Sequence, residues 1–166
     1  MTNKEFAKMV YDAAKGLDIH PLFVTAQACL ETGWGKKTIG KYNIFGITKG
    51  SWEGRTILVQ TTEIHSTAKK HYVKPEEVVK IVALPSGRYR YTVHRLFRDY
   101  DSLEQCLNDY CEIFRKPHFS HAWQYRNEPE KFARAIQQGK MKYATDPNYS
   151  EVLISVMKTV KRLLNE

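Results

Sequence analysis

The sequence predicts a mainly helical α+β domain with a small antiparallel β region at its centre. Apolar residues recur at helical spacing near both ends of the chain, whereas strand-type patterns are confined to about residues 56–97. A chain of 166 residues with 42% hydrophobic content fits one globular domain with a real core. We therefore expect a single domain over residues 1–166, with a β lobe at about 56–97.

The helical segments are marked by residues that favour helix ends. Thr2 and Glu5 form a capping-box pattern before the first helix, and Gly16 lies near its end. Pro21 suits the first turn of the second helix. Three later helices are expected to begin near Asp101–Ser102, near Asn127, and after Asp146–Pro147.

The central region contains two segments with strand character. Residues 56–64, "TILVQTTEI", are β-branched, and residues 89–97, "YRYTVHRLF", alternate in polarity. These two segments should pair in an antiparallel sheet. The intervening "KPEEVVKIVAL" (74–84) fits either a short helix or a third strand, and its pattern does not distinguish them.

Composition restricts the possible functions. The formal charge of +8 favours an anionic partner, although scattered basic residues also suit an ordinary soluble surface. Cys29, Cys106 and Cys111 form no disulfide framework or zinc motif and should be small buried residues. The six histidines show no metal-binding spacing, so we expect neither a metal nor another cofactor. No apolar run is long enough for a membrane span, and the N-terminal segment, which is amphipathic and contains acidic residues, does not resemble a signal peptide.

Glu31 occupies an unusual position on the second helix. On a helical wheel it lies opposite the apolar stripe, beside Val24 and Gln27, on a face with little polarity for a solvent-facing surface. A surface glutamate is one interpretation. However, a carboxylate in the last turn of a helix faces the negative end of its dipole, and a covering element would desolvate it. Both effects would keep the acid protonated, as the general acid of glycosidic cleavage must be.

Four ordered segments resemble glycoside hydrolase family 73, the bacterial endo-β-N-acetylglucosaminidases. The first is "AQACLETGWGKKTIGKYNIFGI" (26–47), similar to the family's run around its catalytic glutamate and its Asn-x-Phe-Gly-Ile block. The others are "VQTTEI" (59–64), "FRDYDSLEQCLNDY" (97–110) and "YATDPNYSEVL" (143–153). The resemblance implies a lysozyme-like fold, in which a cleft separates a helical lobe from a small antiparallel β-hairpin lobe.

The resemblance also implies an activity and a set of site residues. The activity is hydrolysis of the β-1,4 bond after N-acetylglucosamine in peptidoglycan, with the glycan strands as partner and no role for nucleic acid or membrane insertion. By position, Glu31 matches the general acid, Glu63 the second acid and Tyr143 the cleft tyrosine. The implied substrate-binding residues are Asn43, Phe45 and Trp34. We expect a monomer that is made in the cytoplasm and reaches the wall by phage-type release, as an endolysin does, or by export.

Other functions are also compatible with the sequence. A muramidase or lytic transglycosylase would share the fold, and an inert basic wall-binding or nucleic-acid-binding domain would share the charge. The segment between Glu63 and Phe97 is longer than the family's turn, which leaves Glu53, Glu76 and Glu77 as rival second acids.

The two lobes set an expectation for the spacing of the acids. We expect Glu31 and Glu63 to lie more than about 9.5 Å apart without substrate, beyond the ranges of both inverting and retaining pairs. In strand geometry Thr61 and Glu63 share one face, while Thr62 and Ile64 share the other. If Ile64 packs inward, Glu63 faces the cleft.

Overall fold

The computed structural model describes residues 1–165, and within them there are six α-helices and one three-stranded antiparallel sheet. Two helices precede the sheet: α1 (Asn3–Ala14) and α2 (Pro21–Thr32). The strands are β1 (Thr56–His65), β2 (Glu77–Ala83) and β3 (Tyr89–Arg98). A short 3₁₀ helix (Pro117–Phe119) and four α-helices follow: α3 (Leu103–Phe114), α4 (Ser120–Trp123), α5 (Pro129–Ala135) and α6 (Tyr149–Leu164). The expected order, helices on either side of a central β region, is confirmed.

The core of the helical lobe is built around α2. This helix contacts α1, α5 and α6, and all seven residues from Phe23 to Cys29 are buried. Phe23 makes edge-on contacts with Phe114 and Phe132, with ring centroids 6.0 and 4.7 Å apart. Edge-to-face pairs of this kind add to the stabilisation from buried apolar area. The result is a helix without a solvent face along most of its length.

All five expected helix starts lie close to those observed, but the last two helices are not capped by the expected residues. Thr2 and Glu5 form the reciprocal capping box, and Ser102 accepts a hydrogen bond from the amide of Gln105. Pro21 is the first residue of α2. In contrast, the N-cap positions of α5 and α6 are Glu128 and Asn148, and neither side chain caps its helix. Asp146 accepts instead from the amide of Asn148 (2.8 Å) in the turn before α6, so its side chain stabilises a turn and not the helix end.

The β lobe has three strands in the order β1-β3-β2. β1 and β3 pair over their full lengths, from Thr56 opposite Arg98 to His65 opposite Tyr89. The undecided segment 74–84 contributes β2, which pairs with β3 and contains a register shift between Val78 and Lys80. β2 therefore extends the expected two-stranded hairpin to a three-stranded sheet.

Two polar side chains connect the β lobe to the helical lobe. Asn43 is buried and donates from Nδ2 to the carbonyls of Ile47 (3.0 Å) and Arg98 (2.9 Å). Arg98 lies at the end of β3, pairs with Asp109 on α3 (2.8 Å), and donates to the carbonyl of Thr48 (2.9 Å). These contacts attach the sheet to the helical lobe at the end of β3 that contains Arg98.

The structure also bears on two expectations from composition. All three cysteines are buried and unpaired, and burial raises the pKa of Cys29 and Cys106 to about 12, which disfavours the reactive thiolate. Among residues 1–165, no helix has the length and apolar content needed to span a membrane.

Two buried threonines of α2 test how hydrogen bonding of a hydroxyl group in the core affects stability. Thr25 is fully buried and its hydroxyl has no hydrogen-bond partner within the described chain. We expect Thr25→Val to increase the free energy of unfolding by about 1 kcal/mol, because it removes an unpaired polar group at nearly constant shape.

Thr32→Val is the matched control. The Thr32 hydroxyl donates to the carbonyl of Ala28 (2.6 Å) and accepts from the amide of Gly35 (2.7 Å). This substitution should lower the free energy of unfolding, measured by urea denaturation, by about 1–2 kcal/mol. Equal changes in the free energy of unfolding would contradict the conclusion that the Thr32 hydroxyl is hydrogen-bonded and the Thr25 hydroxyl is not.

Candidate active site

The turn after α2 explains the sequence that follows Glu31. Gly33, Trp34 and Gly35 all adopt positive φ, at 57°, 62° and 85°. A side chain on Gly35 would collide with the ring of Phe6, because a Cβ there would lie 2.4 Å from Cδ2. Thr32 fastens the turn to the helix through its two hydrogen bonds. The turn therefore ends α2 sharply and leaves Glu31 at the exposed end of a buried helix.

A chain of hydrogen bonds approaches Glu31 from inside the protein. The weakly polar face of α2 is covered by α6, as its composition suggested, and Gln27 is fully buried there. The Tyr110 hydroxyl donates to Gln27 Oε1, and Gln27 Nε2 donates to the hydroxyl of Tyr149 (2.9 Å). The Tyr149 hydroxyl in turn donates to Glu31 Oε1 (3.0 Å). One carboxyl oxygen of Glu31 is thus held by the protein.

The surroundings of Glu31 favour the protonated acid. The residue is open to solvent on one side, but the protein packed around its carboxyl desolvates it and raises its pKa above the usual range. The hydrogen bond from Tyr149 acts in the opposite direction and is the smaller effect. Within residues 1–165 no lysine or arginine contributes to this shift. The net result matches the requirement for a general acid.

Tyr143 lies beside this acid, as the resemblance implied. Its ring stacks between Phe114 and Tyr149, with centroids 5.4 and 5.7 Å away. Burial raises the pKa of the Tyr143 hydroxyl, and the nearby negative charge of Glu31 raises it further. The hydroxyl therefore stays protonated, and no described residue accepts its proton in a hydrogen bond. Tyr143 is a packing aromatic and also presents a hydrogen-bonding group next to Glu31.

Tyr149 was not recognised from the sequence as part of the site. Tyr149 is the first residue of α6 and is buried. Its hydroxyl nevertheless makes the direct contact with Glu31. The available signal was its place in the segment "YATDPNYS", six residues after Tyr143. Spacing alone did not separate a packing tyrosine from one whose hydroxyl reaches an acid on another helix.

Glu63 belongs to a separate cluster in the β lobe. Its carboxylate accepts from Arg95 Nη1 (2.9 Å), while Arg95 Nε donates to Glu76 (3.1 Å). Glu76 also accepts from the amide of Leu96 (2.9 Å). The guanidinium of Arg95 lies over the ring of Tyr72, 5.5 Å from its centroid. Glu63 is therefore fixed within the lobe by an ion pair that Glu76 supports.

Strand geometry gives the position of Glu63. It pairs with Tyr91, seven residues along β1 from the Thr56–Arg98 end, or about 23 Å at strand spacing. Ile64 is 45% exposed, so the condition that it packs inward is not met. Glu63 lies with His65 on the other face of β1, which is half-buried. Of the rival acids, Glu53 and Glu77 are exposed, and Glu76 supports Arg95.

The three expected substrate-binding residues differ in exposure. Asn43 is buried and uses its amide to connect the lobes, and Phe45 is buried against Tyr110 with ring centroids 3.9 Å apart. Direct contact of either residue with a substrate stays a prediction. Trp34 is half-buried, lies three residues after Glu31, and adopts left-handed backbone geometry at φ 62°. Such strain costs about 1–3 kcal/mol and is concentrated at functional sites.

Comparison with known proteins identifies the class to which this fold and site belong. The family model described as mannosyl-glycoprotein endo-beta-N-acetylglucosaminidase matches residues 7–162. The chain therefore belongs to this glucosaminidase family, and the resemblance seen in the four sequence segments is confirmed.

Individual relatives agree with this assignment. The peptidoglycan hydrolase FlgJ of Vibrio parahaemolyticus is 31% identical over 158 residues, covering 91% of this chain and 44% of that protein. The autolysin of Enterococcus faecalis is 28% identical, covering 92% of this chain and 19% of that protein. The chain thus spans less than half the length of either relative.

Solved structures support the fold. The crystal structure of a peptidoglycan hydrolase mutant from Sphingomonas sp. A1 matches with a TM-score of 0.70 and 31% identity, covering 98% of each chain. The catalytic domain of the Listeria monocytogenes autolysin Auto shares the fold, with a TM-score of 0.66, 23% identity, and coverage of 99% of this chain and 88% of that one. The expected architecture, a helical lobe with a small β lobe, is confirmed.

The raised pKa of Glu31 predicts that Glu31→Gln and wild type differ in stability by an amount that depends on pH. A folded-state pKa above the unfolded value means that the folded state binds the proton more tightly, so stability falls as pH rises from about 4.5 through the folded pKa. Glu31→Gln is neutral at every pH and still offers an oxygen to Tyr149. It should therefore be more stable than wild type at pH 7 and lose that advantage below about pH 4.5.

Urea denaturation between pH 4 and 8 measures this difference. Glu53→Gln, at an exposed position, controls for the removal of one negative charge. A Glu31→Gln advantage that stays constant across this range would show that burial does not perturb the carboxyl.

Proposed function

We propose that this chain is a peptidoglycan hydrolase that cleaves the β-1,4 bond after N-acetylglucosamine, with Glu31 as the general acid. The observation that carries the proposal is the Glu31 carboxyl. It stands at the exposed end of a buried helix, is desolvated on its protein side, and is held through Oε1 by Tyr149. Family membership and the names of the hydrolase relatives support the choice of reaction and substrate.

The acid acts by protonating the oxygen of the scissile bond. Tyr149 occupies Oε1, so Oε2 is the oxygen free to carry the transferable proton. As that proton leaves, the Tyr149 hydroxyl stabilises the carboxylate that forms. The free Tyr143 hydroxyl next to Glu31 donates a hydrogen bond to the sugar, and Trp34 provides an aromatic surface at the adjacent turn.

Glu63 supplies the second carboxylate of the proposed mechanism. Its ion pair with Arg95 fixes it within the β lobe, so it approaches Glu31 through closure of the whole lobe over bound glycan. We propose a gap above about 9.5 Å without substrate, which closes to the range of about 6.5–9.5 Å that accommodates an attacking water. Glu63 then acts as the general base.

The remaining parts of the proposal concern partner and location. All the proposed catalytic groups come from one chain, so a monomer is sufficient. A wall substrate lies outside the cytoplasmic membrane, and the proposal therefore includes delivery by phage-type release or by export. The +8 formal charge would attract the chain to anionic wall polymers, without a role for nucleic acid or membrane insertion.

Product analysis of digested peptidoglycan tests the proposed function. Wild type should release fragments with reducing N-acetylglucosamine ends, identified by borohydride reduction and mass spectrometry. Glu31→Gln should reduce the rate about a hundredfold or more, because the amide has no proton to transfer. Reducing muramic acid ends would indicate a muramidase, and anhydro-muramic ends a lytic transglycosylase. Undiminished lysis by Glu31→Gln would overturn the assignment of the acid.

The role of Glu63 has its own test. Glu63→Gln should also lose about a hundredfold in rate, and wild type should first form the inverted anomer, which NMR can observe during early turnover. Glu77→Gln, an exposed acid near the start of β2, is the matched control and should retain wild-type activity. Retention of configuration together with a small effect of Glu63→Gln would indicate that the acetamido group of the substrate supplies the nucleophile.

A further inference from the structure

Gln27 determines the direction of the hydrogen bonds that reach Glu31. Its amide is fully buried between α2 and α6, and both of its polar atoms have partners. Oε1 accepts the proton of the Tyr110 hydroxyl, so the NH₂ group faces Tyr149. An amide nitrogen donates and does not accept, and the oxygen of Tyr149 therefore receives a hydrogen bond from Gln27 (2.9 Å).

The single proton of Tyr149 then has one direction available. Since the nitrogen of Gln27 is already a donor to the phenol oxygen, the phenol proton points to Glu31 Oε1 (3.0 Å). A neutral carboxylic acid that accepts a hydrogen bond does so best at its carbonyl oxygen, and its own proton is on the other oxygen. Glu31 Oε1 is thus the carbonyl oxygen, and the proton resides on Oε2.

We infer that Gln27 is a positioning residue for catalysis, which acts through Tyr149 to keep the transferable proton of Glu31 on the oxygen that faces the substrate. This inference rests on the proposed role of Glu31 as general acid. If Gln27 could not donate, the Tyr149 oxygen could accept from Glu31 instead. The catalytic proton would then lie between the two side chains, where it cannot reach the glycosidic oxygen.

The groups around Glu31 make this effect visible in a pH profile. The titratable side chains that face it are phenols: Tyr149 of α6, Tyr143 of the preceding segment and, deeper, Tyr110 of α3. Burial raises the pKa of each phenol, so none of them should ionise in the neutral range. Activity should fall as pH rises through the pKa of Glu31, because the general acid must be protonated. The oriented donor lowers that pKa, and its loss should move the alkaline limb to higher pH.

Gln27→Met is the main test, since it keeps the length of the side chain and removes both polar atoms. We expect kcat on peptidoglycan to fall roughly tenfold, a part of the hundredfold or more due to a general acid, with KM within about twofold of wild type. The alkaline limb of kcat should shift to higher pH. Thr25→Val, a buried polar-to-apolar change on the same helix without a hydrogen-bond partner among the described residues, should alter neither quantity.

A double-mutant cycle with Tyr149→Phe separates positioning from general packing. If Gln27 acts through Tyr149, then Gln27→Met should have no further effect on kcat in the Tyr149→Phe background. Additive losses, or a Gln27→Met enzyme with the kcat and pH profile of Thr25→Val, would overturn the inference while leaving Glu31 as the acid. Activity in Glu31→Gln would instead overturn the proposed function itself.

Tyr110→Phe keeps the experiment decisive if Gln27→Met does not fold. It preserves the ring that stacks on Phe45 but removes the proton that orients the Gln27 amide. The inference requires a weaker shift of the alkaline limb in the same direction, together with a reduced kcat. A profile identical to wild type would overturn it.

Discussion

The burial of the Gln27 amide is the constraint on which the helical lobe and the candidate site both depend. A helix packed against α1, α5 and α6 can be almost entirely apolar, yet α2 contains a fully buried amide at Gln27. An amide buried without partners costs several kcal/mol, so the surrounding helices must supply matching groups. Tyr110 from α3 and Tyr149 from α6 do so, and their hydroxyls fix how these helices are placed around α2.

These side chains form a continuous series of hydrogen bonds from the core to the surface. The series begins inside the protein with the hydrogen bond from Tyr110 to Gln27 and ends at the Glu31 carboxyl. Because every intermediate group is buried or packed, Glu31 has little freedom on its protein side. An acid on a rigid helix with a held oxygen is well prepared to act without rearrangement, and such preorganisation is a major part of enzymatic rate enhancement. The lobe is therefore both scaffold and first half of the proposed catalytic pair.

The sequence predicted the parts of the structure that depend on local signals. Capping residues located the starts of α1 and α3, and the β-branched and alternating segments located β1 and β3. Glu31 could be singled out because an acid on a weakly polar face, in the last turn of a helix, conflicts with the simplest interpretation of its surroundings. Segment 74–84 could not be decided because its apolar residues fit either period, and pairing with β3 makes it a strand. Tyr149 was missed for a different reason: its ring obeys helical periodicity, while its hydroxyl makes a contact between helices that no periodicity encodes.

The attachment of the β lobe has a mechanical consequence. Asn43 and Arg98 hold the sheet where β3 enters the helical lobe, whereas Glu63 lies seven residues further along β1. In the proposed closure, the sheet rotates about the end that contains Arg98, and the Glu63 carboxylate lies far from this pivot. At about 23 Å from the pivot, a rotation of only about 10° moves that carboxylate by about 4 Å. A distance of this size is set at the pivot by a few buried hydrogen bonds, so side chains that never meet the glycan would govern how far the two acids travel toward each other.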